Sequence, residues 1–265
     1  MKFKHLHEEV KRLFDIDVIA TGHYARIIPN HLTPSGCKVV NGGIRLLKGI
    51  DHKKDQSYFL FRLTQKEFAR TVFPVGSLTK DEVKKIAKEN KLKTAEKKES
   101  QEVCFIPDGD YIGFMADFYP EKVRKRGDFV DMNGDILGRH EGIHAYTIGQ
   151  RRGLGFGVGK RQYVVKIDPE RNQVVLGTNE DLFKDRLLVS DISWTGQDQV
   201  KKYLGTGVNV TAKIRYRNEG DEALLKEAGD GVVEVQFSKP QRAITPGQSA
   251  VFYDGDKVLG GGCIL

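Results

Sequence analysis

The stretch Asp17-Val18-Ile19-Ala20-Thr21-Gly22-His23-Tyr24 decides the fold class. Its apolar half reads as a buried strand, and the chain then turns at a glycine. Upstream, Phe3, Leu6, Val10 and Leu13 recur at helical spacing and predict a short amphipathic helix over residues 3–14. Helix, apolar strand and glycine turn make an α/β pattern, in which ligands sit at the carboxyl ends of strands. A glycine there lets a ligand approach the backbone. Gly22 is therefore either a nucleotide contact or a plain turn residue. The helix begins without a cap or a preceding strand, as though cut from something longer.

Downstream, residues 29–43 hold Pro, Asn, Ser and Gly and read as a loop, with Cys37 incidental in it. Ile44 to Leu47 resumes a strand. The polar run Gly49-Ile50-Asp51-His52-Lys53-Lys54-Asp55-Gln56 follows, just before the apolar Tyr58-Phe59-Leu60-Phe61. Such a loop either grips a phosphate backbone and base edges or is ordinary surface. Thr64-Gln65-Lys66-Glu67 and Thr79-Lys80-Asp81-Glu82 have capping-box form and open helices near 65–72 and 80–90, the second with Val83, Ile86 and Ala87 inward.

Glu99-Ser100-Gln101-Glu102-Val103-Cys104-Phe105-Ile106-Pro107-Asp108-Gly109 places one thiol between charged residues and a turn. Val103 and Phe105 would point away from Cys104 in an extended segment. The nearby lysines 97 and 98 favour the thiolate, which is the nucleophile. The other reading is a small buried hydrophobe. After one more short helix over 110–118 the texture turns to short β runs and glycine turns, which indicates small antiparallel barrels. Boundaries near 110 and 185 divide the chain into 1–110, 111–185 and 186–265. Gly153-Leu154-Gly155-Phe156-Gly157-Val158-Gly159-Lys160 is not a Walker loop, because Leu154 stands where the first glycine should be and Arg161 follows the lysine. A flexible basic loop along an RNA backbone fits it better.

With 265 residues, 39% hydrophobic and 30% charged, the composition is that of a globular protein. Three scattered cysteines give neither a disulfide framework nor a zinc cluster, so no metal ligands are assigned. No apolar run reaches membrane-spanning length, and the start has no signal region. A cytoplasmic protein without membrane contact is expected. The formal charge of +7 suits a polyanionic partner or a solvated basic face. Its excess is concentrated at Lys122 to Arg126 and at Arg151, Arg152, Lys160 and Arg161.

Taken together, these residues resemble the tRNA-specific 2-thiouridylases. The anchors are Ala20-Thr-Gly-His-Tyr24, Lys54-Asp55-Gln56-Ser57-Tyr58-Phe59-Leu60, Phe73-Pro-Val-Gly76, Lys98-Glu-Ser100 through Cys104-Phe105-Ile106, Tyr146-Thr-Ile-Gly-Gln-Arg151, Ile214-Arg-Tyr-Arg217 and Thr245-Pro-Gly-Gln248. They stand in the family's order along essentially the whole chain. The resemblance implies α/β plus β architecture: a truncated ATP-pyrophosphatase domain (adenine nucleotide alpha hydrolase-like), a small central β-rich domain and a C-terminal β-barrel. It implies ATP-dependent adenylation of C2 of the wobble uridine-34 of tRNA, with Mg²⁺, and sulfur transfer from a cysteine persulfide to give 2-thiouridine. Cys104 would carry the persulfide and Gly22 would contact ATP. His23, Lys54, Asp55, Gln56, Arg215, Tyr216 and Gln248 would contact tRNA. A persulfide donor protein, either a cysteine desulfurase or a sulfur relay, is the implied second partner.

The sequence departs from the family in one respect. The family's Ser-Gly-Gly-x-Asp-Ser phosphate loop and first catalytic cysteine have no counterpart in it, and Met1-Lys2-Phe3 stands where a segment just after that cysteine belongs. The expectation is a fragment that cannot adenylate tRNA alone. A non-catalytic tRNA-binding module is the alternative. A thiol redox protein is weaker, because no second cysteine lies near Cys104 in the chain.

Overall fold

The structure, a computed structural model, describes residues 2–29, 43–93, 95, 110–120, 125–155, 161–196 and 204–265. The chain packs as two compact units. One combines residues 1–96 with 186–239 and 246–265, and the other combines 97–185 with 240–245.

In the first unit, α1 (Lys2–Phe14) forms as its apolar spacing predicts. His7 on it is buried, and its Nε2 lies 2.9 Å from the carbonyl oxygen of Arg70. β1 is only Ile19–Ala20, paired in parallel with β4 (Thr71–Val72). The expected buried strand is thus shorter and more open than its composition suggests. Val18 is 49% exposed, because β4 is the only strand that pairs with β1 among the described residues. Both capping boxes form: Thr64 with Glu67 opens α2 (Gln65–Phe68), and Thr79 with Glu82 opens α3 (Lys80–Glu89). The first helix ends four residues earlier than expected, since Thr71–Val72 is taken up by strand pairing. Ile86 on α3 is exposed rather than inward, and no residue of that helix is fully buried.

The dominant element is a closed six-stranded antiparallel barrel of β9 (Phe183–Trp194), β10 (Val208–Lys213), β11 (Asp221–Glu227), β12 (Val233–Arg242), β13 (Ser249–Asp254) and β14 (Lys257–Ile264). The pairing of β13 with β14 closes it. β14 runs between β9 and β13, and its Gly260-Gly261-Gly262 run leaves no room for side chains: a Cβ there would enter the carbonyl oxygens of Ser193, Ala250 and Ser190. β2 (Ala25–Pro29) and β3 (Ile44–Lys48) form a hairpin that extends the barrel sheet from β14, with Leu47 opposite Lys257. The core beneath it mixes residues from both ends of the chain: Leu46, Leu60, Phe61 and Phe68 with Val251, Tyr253 and Val258. Gly76 is fixed by this packing, because a Cβ would overlap the backbone oxygen of Ala25.

In the second unit, α4 (Tyr111–Phe118) is capped by the Asp110 side chain, which accepts from the Gly113 N–H at 2.8 Å. The sheet order is β6 (Ile136–His140), β5 (Gly127–Val130), β8 (Gln173–Gly177), β7 (Tyr163–Asp168), with β5 and β8 parallel. Phe129, Val164, Val174 and Leu176 form the core. His140 is 2% exposed and lies against the rings of Phe129 and Tyr146. Its Nδ1 accepts from the Gly142 N–H at 3.1 Å, so its proton sits on Nε2, toward the Asn172 carbonyl. No helix among the described residues is long and apolar enough to cross a membrane.

Two outcomes follow from this packing. Gly76→Ala should lower stability by about 1–3 kcal/mol through overpacking, measured as a shift in the urea midpoint. Burial holds the His140 pKa below its ordinary value of 6.5, helped by the charge of His144 and opposed by the Asn172 carbonyl, Asp128 and Glu141. The unfolded chain therefore takes up this proton first, so His140 removes stability as pH falls below about 6.5. The drop in thermal midpoint from pH 7.5 to 5.5 should be smaller in His140→Gln than in the wild type.

Candidate nucleic-acid interface

The loop from Gly49 to Gln56 is shaped by two carboxylates with separate tasks. Asp51 accepts from the Lys53 N–H at 3.2 Å and from the Lys80 N–H, at the start of α3, at 3.0 Å. Its backbone oxygen accepts from the Lys54 N–H at 2.9 Å. Asp55 is 5% exposed and turned inward. Its Oδ1 accepts from the N–H groups of Gly49 (3.0 Å) and Ser57 (3.1 Å), and its Oδ2 accepts from the Ser57 hydroxyl at 2.8 Å. Burying a carboxyl group is costly unless donors meet its oxygens, and these three do so.

The loop is joined to the barrel through the same group. Since the Ser57 hydroxyl donates to Asp55, the Tyr253 hydroxyl 3.3 Å away is the donor to Ser57. Burial, first of all, pushes the Tyr253 phenol upward, so it stays protonated and remains a donor. Lys48 on β3 and Lys213 at the end of β10 hold their ammonium groups 4.7 and 5.9 Å from the centre of the Tyr253 ring. Lys213 is 7% exposed. Burial lowers its pKa, the charge of Lys48 lowers it further, and Asp55 and Glu219 oppose the shift.

The residues assigned to tRNA by resemblance gather in this unit. Gln56 clasps Tyr24 by two backbone-directed bonds: its N–H donates to the Tyr24 carbonyl at 2.9 Å, and its Oε1 accepts from the Tyr24 N–H at 3.0 Å. This places the loop beside the Gly22-His23 turn. The His23 ring sits between Phe3 and Phe73, with Nδ1 2.8 Å from the Thr21 hydroxyl. Tyr216 packs on Phe59 and Tyr58. The Tyr58 hydroxyl donates to the Ser249 carbonyl at 2.8 Å, next to exposed Gln248. Burial raises the Tyr58 pKa to about 12, against the opposing charge of Arg215. Lys54, Asp55, Gln56, Arg215, Tyr216 and Gln248 therefore belong to one assembly of loops around Tyr58 and Tyr253.

Gly22 is exposed, and a Cβ there would meet nothing within 4 Å. Neither steric closeness nor a left-handed backbone requires glycine at this turn. Cys104, the loop 30–42 with Cys37, residues 122–124 of the first basic run and residues 156–160 of the glycine-rich loop lie outside the described residues. Sequence reasoning passed over Lys48, Ser57, Lys213 and Tyr253. Ser57 lies within the Lys54–Leu60 motif, but its link to Tyr253 spans 196 residues and no local pattern announces it. Among the described residues, no group of three or more His, Cys, Asp or Glu side chains is placed to hold a metal.

Asp55→Ala would leave two buried backbone donors unpaired, each costing about 1–3 kcal/mol. The thermal midpoint should fall clearly. Any tRNA affinity should fall with it, because the loop carrying Lys54 and Gln56 loses its anchor; a filter-binding titration well below the mutant's midpoint reads this.

Three family models match in chain order. They are the tRNA methyl transferase HUP domain over residues 1–108, the tRNA methyl transferase PRC-barrel domain over 113–178 and the aminomethyltransferase beta-barrel domain over 184–264. Among similar proteins, the tRNA-specific 2-thiouridylase MnmA of Lachnoclostridium phytofermentans is 45% identical over 94% of this chain and 66% of its own length. The corresponding protein of Syntrophomonas wolfei subsp. wolfei is 48% identical over 94% of this chain and 69% of its own. That of Halothermothrix orenii is 43% identical over 100% of this chain and 70% of its own. The chain spans about two thirds of the length of the curated relatives it matches. It belongs to the tRNA-specific 2-thiouridylase family.

Proposed function

We propose that the chain takes part in ATP-dependent 2-thiolation of the wobble uridine-34 of tRNA. The reading rests on one observation: residues far apart in sequence that the family resemblance assigns to tRNA collect in one loop assembly, on a chain 43–48% identical to proteins named tRNA-specific 2-thiouridylases. In this reading the C2 oxygen of uridine attacks the α-phosphorus of ATP, and pyrophosphate leaves. The terminal sulfur of a persulfide on Cys104, loaded by a sulfur-donor protein, then attacks C2 and expels AMP, leaving a Cys104–S–S–C2 disulfide. A second thiol, the role that the family's first catalytic cysteine would fill, attacks the Cys104 sulfur and breaks the S–S bond. This releases 2-thiouridine and leaves a disulfide between the two cysteines.

The described residues contribute to the RNA side of this chemistry. Lys54 and Arg215 supply cations for phosphate oxygens. Gln56 and His23 stand on a turn held rigid by the Tyr24 clasp, and Asp55 acts from beneath by fixing the loop. Toward ATP they offer only the open turn at Gly22. No acidic cluster among them suits Mg²⁺, and the sequence contains no Ser-Gly-Gly-x-Asp-Ser loop. The residues present do not fit a complete ATP and Mg²⁺ site, so adenylation by this chain requires groups beyond them. The second reading is a tRNA-binding module without catalysis of its own. The division at 110 and 185 and a cytoplasmic location belong to the same proposal.

Single-turnover sulfur transfer to an unmodified tRNA transcript, with ATP, Mg²⁺ and a persulfide donor, tests it. The chain is assayed alone and with the phosphate-loop segment of a relative added in trans. Transfer is expected only with the added segment, and Cys104→Ala should abolish it while leaving tRNA affinity within about twofold, since a neutral thiol-to-methyl change removes no phosphate contact. Absence of transfer in both arms, with tRNA binding intact, would leave the binding-module reading.

A further inference from the structure

Phe59 is 57% exposed, yet it lies between buried Tyr58 and Leu60 at the end of the 3-10 turn Ser57–Phe59. Single exposed apolar side chains are commonplace, but this one is stacked. Its ring centre is 4.6 Å from that of Tyr216 at an interplanar angle of 38°, and Tyr58 meets it edge-on at 5.5 Å and 86°. Tyr58 is anchored by its bond to the Ser249 carbonyl, and Tyr216 packs against the buried core. The pair is therefore supported from beneath by ordered side chains while Phe59 remains open to solvent.

The surroundings are cationic and polar. Lys54 and Gln56 precede Phe59 on the same loop, Arg62 follows it, and Arg215 and exposed Arg217 flank Tyr216. The carboxylates of the loop are already engaged, Asp55 by Ser57 and Gly49, and Asp51 by Lys53 and Lys80. Asp191 pairs with Arg62, which leaves Lys54, Arg215 and Arg217 as the cations the platform relies on. A preformed aromatic surface ringed by cations suits a flat π-system attached to a polyanion, which is the chemistry of an unpaired nucleobase. An apolar peptide would use the ring and gain nothing from the guanidinium and ammonium groups.

We propose that Phe59 and Tyr216 form a stacking platform for one unpaired base of the RNA, an inference that rests on the tRNA-binding reading above. Phe59 lies outside the set of residues implied by the family resemblance. On this platform the ring of Phe59 supplies contact area, and Arg215 and Lys54 hold the adjoining phosphates.

The test is equilibrium binding of the full chain to an unmodified tRNA transcript over a salt series, for the wild type, Phe59→Leu, Phe59→Trp and Lys54→Ala. Loss of a base–aromatic stack weakens binding roughly five- to hundredfold. Phe59→Leu should show such a loss with an unchanged slope of log affinity against log salt, because stacking releases no counterions. Phe59→Trp should restore binding, and Lys54→Ala should lower both affinity and slope, the latter by about one. Wild-type affinity in Phe59→Leu would overturn the platform, as would a loss that Phe59→Trp does not restore. A wild-type chain that fails to bind tRNA would overturn the tRNA reading itself, and the platform with it.

Discussion

The packing of Ala25 and of residues 44–73 onto β13 and β14 is the constraint on which the first unit depends. β2 and β3 have one face to bury, and the barrel offers the surface to receive it. Leu46, Leu60, Phe61 and Phe68 become inaccessible only together with Val251, Tyr253 and Val258. Sheet extension through β14 fixes the register, and the Arg26–Asp256 ion pair at 2.8 Å sits at its margin. Because this core is shared, loops that begin nearly two hundred residues apart in sequence are held in fixed relation.

Within that core the polar groups are as ordered as the apolar ones. Asp55, Ser57 and Tyr253 form a chain of hydrogen bonds from one end of the polypeptide to the other, and each has a defined donor and acceptor role. Lys213 faces the charge of Asp55, and Lys48 and Lys213 both gain the face of the Tyr253 ring. Low local dielectric makes such a network strong when complete and costly when broken. Its consequence for the proposed function is indirect: it holds the Lys54–Gln56 loop in place, so that little ordering entropy would be lost in the RNA binding proposed above.

The second unit solves a different problem with a smaller sheet. Four strands enclose a core of a few aliphatic residues and Phe129, and His140 completes it at the expense of a buried imidazole. Acid pH therefore loosens this unit through a group that has no place in the proposed chemistry. The basic side chains that gave the sequence its positive balance lie partly on this unit, at Arg151, Arg152 and Arg161.

Much of this was legible from the sequence alone. Apolar spacing announced α1, Ser/Thr-x-x-Glu patterns announced the starts of α2 and α3, and glycine-bounded β runs announced most of the barrel. These signals are local, arising from side chains a few residues apart. β9 and β11 escaped notice because Phe183–Trp194 is mostly exposed over its first half and Asp221–Glu227 has the composition of a helix; only pairing with neighbouring strands makes them β. The family's motifs, too, could be read in order along the chain. What the sequence could not determine was the direction in which those motifs face. Asp55 turns into the core, where its donors are, and Phe59 turns out although it is apolar, because Tyr58 and Tyr216 occupy the inner positions. Phe59 stacks on Tyr216, 157 positions away. The Ser57 that donates to Asp55 is itself bonded to Tyr253, 196 positions away. These contacts exist only after the barrel has closed.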